Sequence, residues 1–316
     1  MAPAFSALTL FDVVLCVLII GVALCSSSVR DLFAATVLLI IYGVFVAIAW
    51  VRLGAVDVAL AEAAIGAGLT GVLLIGAVAR LKITESPAAA VSRWQFAAKV
   101  IPASLGLLIA SGLAYLVLTV EWRETLQAPV LANLPDTGVL NPVTAVLLNY
   151  RAYDTLLETS VLFAALIASW CTTHDDLWGE RAGLRQHTRR AGILATFGRF
   201  LPPIGLIVGI HIFWAGADKW GGAFQAGTIF AAVWILAIMA GVIDAPNATG
   251  RSIRSFAVAG PMFFTFVALT GVLAQSFLII PVMVAKPLTL AIEACLTLSI
   301  AATLMLLVLG APRRSA

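Results

Sequence analysis

Apolar residues fall into nine runs separated by polar segments, and each run is long enough to cross the hydrocarbon core of a bilayer as a helix. The predicted spans are Phe5–Cys25, Leu32–Trp50, Ala55–Ala79, Val100–Val120, Thr144–Trp170, Phe200–Ala215, Ala223–Ile243, Phe256–Ile280 and Pro287–Leu309. Long polar segments follow the fourth and fifth runs. The pattern predicts an all-α, polytopic membrane protein with about nine transmembrane helices.

The first and sixth runs depart from the regular pattern. The first run has neither a basic segment before it nor a small-residue cleavage site after it, so we expect a membrane span and not a removable signal peptide. Pro202 and Pro203 lie near the start of the sixth run. Proline lacks a backbone N–H and is expected to shorten this helix.

Basic residues alternate between successive loops in the way that nine spans require. With the loops numbered in order, 14 of the 19 Lys and Arg residues fall on one side of the membrane and five on the other. Cytoplasmic loops of membrane proteins carry the excess of Lys and Arg. The asymmetry predicts that the N-terminus lies outside the cytoplasm and the C-terminus lies inside it.

Composition narrows the range of functions. Hydrophobic residues make up 62% of the chain and charged residues 11%, against about 25% charged residues in soluble domains. The net charge of +3 is too small to indicate nucleic acid binding. The four cysteines form no CxxC pair and no Cys/His cluster, so no zinc, iron–sulfur or other cofactor site is predicted. Because the chain also has no ATP-binding loop or catalytic triad motif, we do not expect an enzyme.

A charged stripe occurs in the fifth predicted span. Steps of three, four and seven residues place Arg151, Asp154 and Glu158 on one face of a helix. Charged residues within a membrane helix are costly and usually serve ion movement. On one interpretation, Arg151 and Asp154 pair locally and adjust the proton affinity of Glu158, which handles ions. On the other, the stripe is a self-neutralised structural pair.

The third predicted span contains a carboxylate, Glu62, several residues from its start. Glu62 is expected either to be neutral and hydrogen-bonded or to belong to an ion path. Gly66, Gly68 and Gly71 follow it and permit close helix packing or a local bulge. Asp57, nearer the membrane edge, is either another ion-path residue or an ordinary acid at a helix N-terminus.

Two further ion-path candidates lie in the second half of the chain. Glu293 follows Lys286 by seven residues and shares its helix face, while Lys286 reaches the membrane interface. His211 is a single imidazole in an apolar span and is either a proton relay or a core histidine. In the first span, Asp12 is a further carboxylate.

A glycine-dense segment connects the sixth and seventh predicted spans. It contains Gly221, Gly222, Phe224 and Gly227, with Asp218 and Lys219 just before them. The segment is either only a tight turn or a place where glycines permit a close backbone approach.

These motifs together resemble the membrane subunits of Mrp-type multisubunit Na+/H+ antiporters and the related membrane-bound hydrogenases. Three predicted modules, of three, two and four spans, follow one another and account for the nine runs. The first module is residues 1–95, similar to MbhD through Asp57–Glu62, and the second is residues 96–175, similar to MbhE through Arg151–Glu158. After a cytoplasmic linker, 176–198, the third module is residues 199–316, similar to MnhB (MrpB).

The resemblance to MnhB rests on a PGGGFxxG loop, which residues 220–227 match in part. Trp220 and Ala223 replace the usual proline and third glycine, and Ala217 stands where a histidine is common. These departures indicate a divergent branch, as does the joining of separate family subunits in one chain.

The resemblance implies a place in a large complex in the bilayer of the bacterial inner membrane. Complex I-like antiporter subunits and a small NuoK-like subunit would be the neighbours. It also implies that Glu62 and Glu158 lie on a path for H+, with or without Na+. The remaining alternatives are a membrane-arm subunit of a redox-driven pump and a structural scaffold with idle carboxylates. A self-sufficient secondary transporter is disfavoured because the sequence shows no inverted repeat.

Overall fold

The protein is an all-α, polytopic membrane protein, as its apolar pattern predicts. The computed structural model describes residues 7–81, 93–120, 125–183, 192–273, 277–278 and 280–313. Within these residues, eight helices are long and apolar enough to cross a membrane. The predicted seventh span is a shorter helix of 17 residues, Ala223–Met239.

The first helices form an antiparallel group at the N-terminal end. Their bounds are α1, Ala7–Ser28; α2, Leu32–Arg52; α3, Val56–Ala61; a π-helix, Glu62–Leu69; and α4, Thr70–Arg80. The carboxylate of Asp31 accepts hydrogen bonds from the first backbone N–H groups of α2 and starts that helix. Arg52 joins α2 to α1 through an ion pair with Asp12 at 2.7 Å, and both side chains remain partly exposed.

The third predicted span is confirmed as one helical segment, Val56–Arg80, that is long and apolar enough to cross a membrane, but its middle is π-helical. A π-turn holds one residue more than an α-turn, so some backbone carbonyls lose their regular partners. The hydroxyl of Thr70 donates to the carbonyl of Ile65 at 2.9 Å and supplies one such partner. The bulge allowed by the glycines of this span is therefore present over Glu62–Leu69.

The next helix, α5, Arg93–Thr119, is exposed over the whole of its apolar part. A short segment follows, at the end that the charge pattern predicts to be outside the cytoplasm. It is made of α6, Gln127–Ala132; a 3-10 turn, Leu134–Thr137; and α7, Pro142–Ala145. Because residues 100–119 of α5 are exposed in the described part of the chain, this apolar surface is left for lipid or another subunit.

The prediction of one continuous fifth helix over Thr144–Trp170 is wrong. A π-helix at Val146–Tyr150 follows α7, the backbone breaks at Arg151 (φ −127°, ψ 34°), and α8 runs over Ala152–Cys171. The hydroxyl of Thr155 donates to the carbonyl of Leu147 at 2.7 Å. This bond satisfies a carbonyl that the break frees at the membrane, where water is scarce.

The C-terminal half is the best-packed part of the molecule. It contains α9, Ile193–Ala215; α10, Ala223–Met239; α11, Arg251–Leu273; a 3-10 turn, Val282–Val284; and α12, Ala285–Leu309. The α12 helix lies at its centre: Leu296, Ile300 and Met305 are fully buried and belong to one core cluster with Phe264 of α11.

The prediction that Pro202 and Pro203 shorten the sixth span is wrong. The α9 helix begins at Ile193 and continues through both prolines to Ala215. Membrane helices tolerate proline because neighbouring helices and small local adjustments satisfy the freed backbone groups. Close packing against α10 supports this stretch, since a Cβ on Gly209 would lie 2.3 Å from Cε1 of Phe230.

A small sheet closes the end of the bundle that the charge pattern assigns to the cytoplasm. After a 3-10 turn at Asp175–Leu177, β1, Trp178–Ala182, pairs antiparallel with β2, Pro312–Arg313. The backbone N–H of Ala248 donates to the carbonyl of Glu180 at 2.8 Å. The predicted linker therefore contains a strand that ties the end of α12 to the α10–α11 connection.

Candidate functional site at the junction of the predicted modules

The site is built on the loop between α9 and α10, residues 216–222. Gly221 and Gly222 have φ values of +147° and +139°, which side-chain-bearing residues rarely adopt. A Cβ on Gly221 would lie 2.2 Å from the carbonyl oxygen of Ile212. The backbone N–H of Gly222 donates to that same carbonyl at 3.2 Å. The two glycines therefore let the loop fold back tightly on the end of α9. Of the two interpretations that the sequence allowed for this segment, the structure shows the close backbone approach.

The N-terminal group of helices contacts this loop through Asp57. Its side chain is 6% exposed, and Oδ1 accepts a hydrogen bond from the backbone N–H of Gly221 at 2.8 Å. The backbone carbonyl of Asp57 accepts a second bond, from Nε2 of Gln225 at 3.2 Å. Asp57 is thus more than an acid in the first turn of its helix, because it also joins α3 to the start of α10.

The segment before α8 contacts the same loop from another side. The side-chain amide of Asn141 donates to the carbonyls of Lys219, at 2.7 Å, and Gly216, at 3.2 Å. The hydroxyl of Thr144 also donates to Gly216 O, at 2.6 Å. Asn141 is 4% exposed and also starts α7 by accepting from the N–H of Val143. These bonds satisfy loop carbonyls that would otherwise be buried without donors.

The start of α12 supplies the third contact. Lys286 Nζ lies 3.1 Å from Asp218 Oδ1, and both side chains are partly exposed. Gly138 (φ +72°) packs against the backbone of Lys286, where a Cβ would lie 2.8 Å from its nitrogen. Exposed ion pairs contribute only about 0–1 kcal/mol, so the pair adds little, while the packing at Gly138 joins the start of α12 to the segment before α7. Asp57, Asn141, Thr144, the 216–222 loop and Lys286 are hereafter called the junction.

Glu293 lies in the bundle beneath the junction. It is 3% exposed, and its Oε1 lies 3.6 Å from the position that a Cβ on Gly222 would occupy. Its other oxygen, Oε2, is buried without a hydrogen-bond partner in the described part of the chain. Lys286 does not pair with it, since Lys286 pairs with Asp218. Of the three glutamates that the sequence singles out within spans, Glu62, Glu158 and Glu293, it is the most deeply buried.

Glu62 opens the first π-helix and is half-buried. Its carboxylate lies over Gly66, where a Cβ would come within 2.3 Å of Oε1. The same π-helix packs on α2, where a Cβ on Gly43 would lie 3.1 Å from Cβ of Ala67. Gly66 therefore provides the space that the carboxylate occupies, and Ala67 provides the close helix contact.

The charged stripe is only partly assembled. Arg151 and Asp154 form an exposed ion pair across the break before α8. Glu158 is exposed on α8 and has no hydrogen bond or ion pair within the described residues, while its neighbours Thr155 and Thr159 face the core. Glu158 is thus turned away from the core of this chain, toward lipid or a neighbouring subunit.

The remaining predicted residues have different surroundings. Phe224 packs against the core cluster, and Gly227 permits close contact between α10 and α12, where its Cβ would lie 2.8 Å from Cγ2 of Ile300. His211 is exposed on α9 and is not brought to the other candidates.

Sequence reasoning missed Asn141, Thr144, Gln225 and the pairing of Asp218 with Lys286. Asn141 stands directly before Pro142, and an Asn-Pro pair is a common helix start. That signal identifies the start of α7 but not the partners of the side chain, which lie more than 70 residues away in sequence.

We expect that Asp57→Ala weakens the junction, whereas Asp57→Asn largely preserves it. Alanine leaves the buried N–H of Gly221 without an acceptor, at a cost of about 1–3 kcal/mol. Asparagine keeps an oxygen at the position of Oδ1. The measurement is the temperature at which the purified chain aggregates in detergent, with size-exclusion chromatography used to detect the aggregation. Equal loss of stability in the two variants would show that this hydrogen bond does not hold α3 to the loop.

Two family models match the chain, and both match parts of the junction. Residues 17–83 match the MbhD family, whose members are subunits of MBH, and residues 193–311 match "Domain related to MnhB subunit of Na+/H+ antiporter". The first range contains Asp57 and Glu62, and the second contains the glycine loop and Glu293. No curated protein is significantly similar to this chain in sequence.

Two solved structures share the fold. One is the Mrp complex from Dietzia sp. DQ12-45-1b, with 24% identity and a TM-score of 0.74 over the whole of this chain. This chain spans only 36% of the length of that Mrp chain. The other is the membrane-bound sulfane sulfur reductase, an archaeal respiratory membrane complex, with 21% identity and a TM-score of 0.53. That match covers 67% of this chain and 98% of the other.

Proposed function

From the two modules that this chain joins, MbhD and an MnhB-related domain, we propose that it is a membrane subunit of a multisubunit cation/proton antiporter. The transported ions are H+ and Na+, and the complex lies in the inner membrane of a bacterial cell. In this proposal the chain contributes carboxylates to an ion path and does not catalyse covalent chemistry.

The structural observation that supports an ion path in this chain is the position of Glu62. A carboxylate within a membrane span, on a π-helix and over a glycine that gives it room, can change partners without displacing a packed side chain. Intramembrane carboxylates of this kind are expensive to keep and mark ion paths. The π-helix is itself typical of functional positions in helices.

Glu158 extends the path toward a partner subunit. It is exposed on α8 at the level of the membrane and has no partner in the described part of this chain. A charged group facing lipid would be unfavourable, so the proposal places another membrane subunit against this face. A complex I-like antiporter subunit and a small NuoK-like subunit are the neighbours that we propose. The Arg151–Asp154 pair lies one to two turns away, and in this proposal its field affects Glu158.

The proposal is tested by isolating the complex and measuring its exchange. The chain is tagged at its C-terminus, extracted in mild detergent, and all co-purifying proteins are identified by mass spectrometry. Exchange is measured in everted membrane vesicles as the collapse of a preformed pH gradient on addition of NaCl. Co-purifying antiporter-like subunits and Na+-dependent collapse that requires this chain support the proposal. A chain that purifies alone would contradict it.

A redox-driven complex is the second candidate, and one observation favours it. The chain shares its fold with the membrane-bound sulfane sulfur reductase, an archaeal respiratory membrane complex. If soluble redox subunits co-purify with the tagged chain, it is a membrane-arm subunit of such a complex. The junction also fits a scaffold role, in which changes in the glycine loop block assembly while carboxylate substitutions are tolerated.

We expect that Glu158→Gln leaves the complex assembled and reduces Na+-dependent exchange at least about tenfold, which corresponds to about 1.4 kcal/mol. Glutamine keeps the shape of the side chain but can neither carry the charge nor release a proton. The matched control is Glu180→Gln, at an exposed glutamate in β1, outside the membrane spans. Unchanged exchange in Glu158→Gln vesicles with normal subunit content would favour the scaffold role.

A further inference from the structure

Two polar atoms beneath the junction are buried without partners. Glu293 Oε2 and Thr289 Oγ1 have no hydrogen-bond partner in the described residues, although their side chains are 3% and 0% exposed. The two residues are four positions apart on α12, so they share one face of the helix. Buried polar atoms almost always have a partner, and an unpaired one costs free energy.

A third oxygen, from Gln225, lies beside the carboxylate of Glu293. A Cβ on Gly222 would lie 3.2 Å from Oε1 of Gln225 and 3.6 Å from Oε1 of Glu293, so both oxygens border the one space beside this glycine. The Gln225 amide is held in this orientation because its Nε2 donates to the backbone carbonyl of Asp57. The N-terminal module therefore orients a side chain of the MnhB-related domain toward Glu293.

Access to this space depends on glycine at position 222. The φ of +139° is unfavourable for residues with a side chain, and a Cβ would project between the two oxygens. Gly222 also caps the N-terminus of α10, whose positive end lies close to the carboxylate. Glu293, which borders this space, lies about 12 Å along α12 from the start of that helix, counting eight residues at 1.5 Å each.

These groups have the chemistry of a site for a small monovalent cation. Carboxylate, amide and hydroxyl oxygens are the ligands that hard cations prefer. One carboxylate balances one positive charge, and no group of three or more His, Cys, Asp or Glu side chains suited to a metal ion occurs among the described residues. That distribution of charge favours Na+ over a divalent ion.

We propose that Glu293, Thr289 and Gln225 bind one Na+ ion at the interface between the two modules. Asp57 acts as a positioning residue, through its bond to Gln225. The identity of the ion rests on the proposed function, but binding at this site does not require transport. A coordinated Na+ would give both unpaired oxygens a partner and neutralise the buried carboxylate.

The test is equilibrium binding of 22Na+ to the purified full-length chain in detergent, in Na+-free choline buffer. We expect saturable binding of about one ion per chain, displaced by unlabelled NaCl and not by choline chloride. Thr289→Val and Glu293→Gln are expected to weaken binding at least about tenfold. Thr303→Val is the matched control, because Thr303 is equally buried on α12 but lies about ten residues beyond Glu293.

Thr289→Val keeps the test decisive if Glu293→Gln does not fold. The Thr289 hydroxyl has no partner in the described chain, so its removal breaks no hydrogen bond. Absence of saturable Na+ binding in the wild-type chain, or equal binding by Thr289→Val and wild type, would overturn the proposal. Because the assay needs no transport, Na+ binding without exchange in vesicles would count against the proposed function and not against the site.

Discussion

Replacing Gly221 by alanine is expected to prevent the chain from accumulating in a folded form. The new Cβ would meet the carbonyl oxygen of Ile212 at 2.2 Å, and the φ of +147° is strained for any residue with a side chain. Relief requires the loop to move away from the end of α9, which also withdraws the N–H that binds Asp57. Backbone strain of about 1–3 kcal/mol and a buried carboxylate left without its donor, which costs at least about 1–3 kcal/mol, add to the clash.

The measurement for Gly221→Ala is the yield of monodisperse full-length chain after extraction in detergent. Gly112→Ala is the matched control, since a Cβ at Gly112, on the exposed α5 helix, would meet no atom within 4 Å. We expect wild-type yield for Gly112→Ala and a large loss for Gly221→Ala. A wild-type yield for both would mean that the loop tolerates a different backbone path and that the junction does not depend on it.

Glu62→Gln is expected to abolish ion exchange while leaving the subunits assembled. Glutamine fits the space over Gly66 because it has the same length and shape as glutamate, so neither the π-helix nor its contact with α2 should change. What is lost is the ability to titrate or to hold a cation. We expect Na+-dependent exchange to fall at least about a hundredfold, equivalent to about 2.7 kcal/mol.

The control for Glu62→Gln removes a carboxylate from the same module but changes no residue of the proposed ion path. Asp31→Asn does so, since Asn starts a helix about as well as Asp and the side chain of Asp31 only caps α2. Exchange should remain at the wild-type level in Asp31→Asn. Persistent exchange in Glu62→Gln, with all subunits present in wild-type amounts, would exclude Glu62 from the ion path and favour the scaffold role.

The sequence predicts the membrane-spanning architecture well because one strong signal controls it. An apolar run must be helical inside a bilayer, whatever it packs against. The apolar pattern does not predict irregularities of the helix inside a run. The π-helix at Glu62–Leu69 and the break at Arg151 add or re-aim a residue within an apolar stretch without changing its composition. The glycines after Glu62 permitted the first bulge but did not require it.

The candidate site was predicted only in part, because its parts come from distant places. Asp57 meets Gly221 across 164 residues, and Asn141 meets Lys219 across 78. Each contact joins one polar side chain to a backbone group. Every residue has these backbone groups, so the type of the residue does not indicate which of them will be bound. Glu293 shows the same limit, since its position in an apolar helix was visible but its burial beneath Gly222 was not.

The hydrogen bond between Asp57 and Gly221 can form only late in the synthesis of the chain. Its two partners are separated by 164 residues, so α3 enters the membrane long before the loop that will bind it exists. At typical translation rates of 5–20 residues per second, the ribosome needs roughly 8 to 33 s to cover that interval. Throughout it the acid of Asp57 has no partner from the loop, and α2 is the main surface on which α3 can rest. The three spans of the first module must therefore remain without this contact until α9 and α10 emerge.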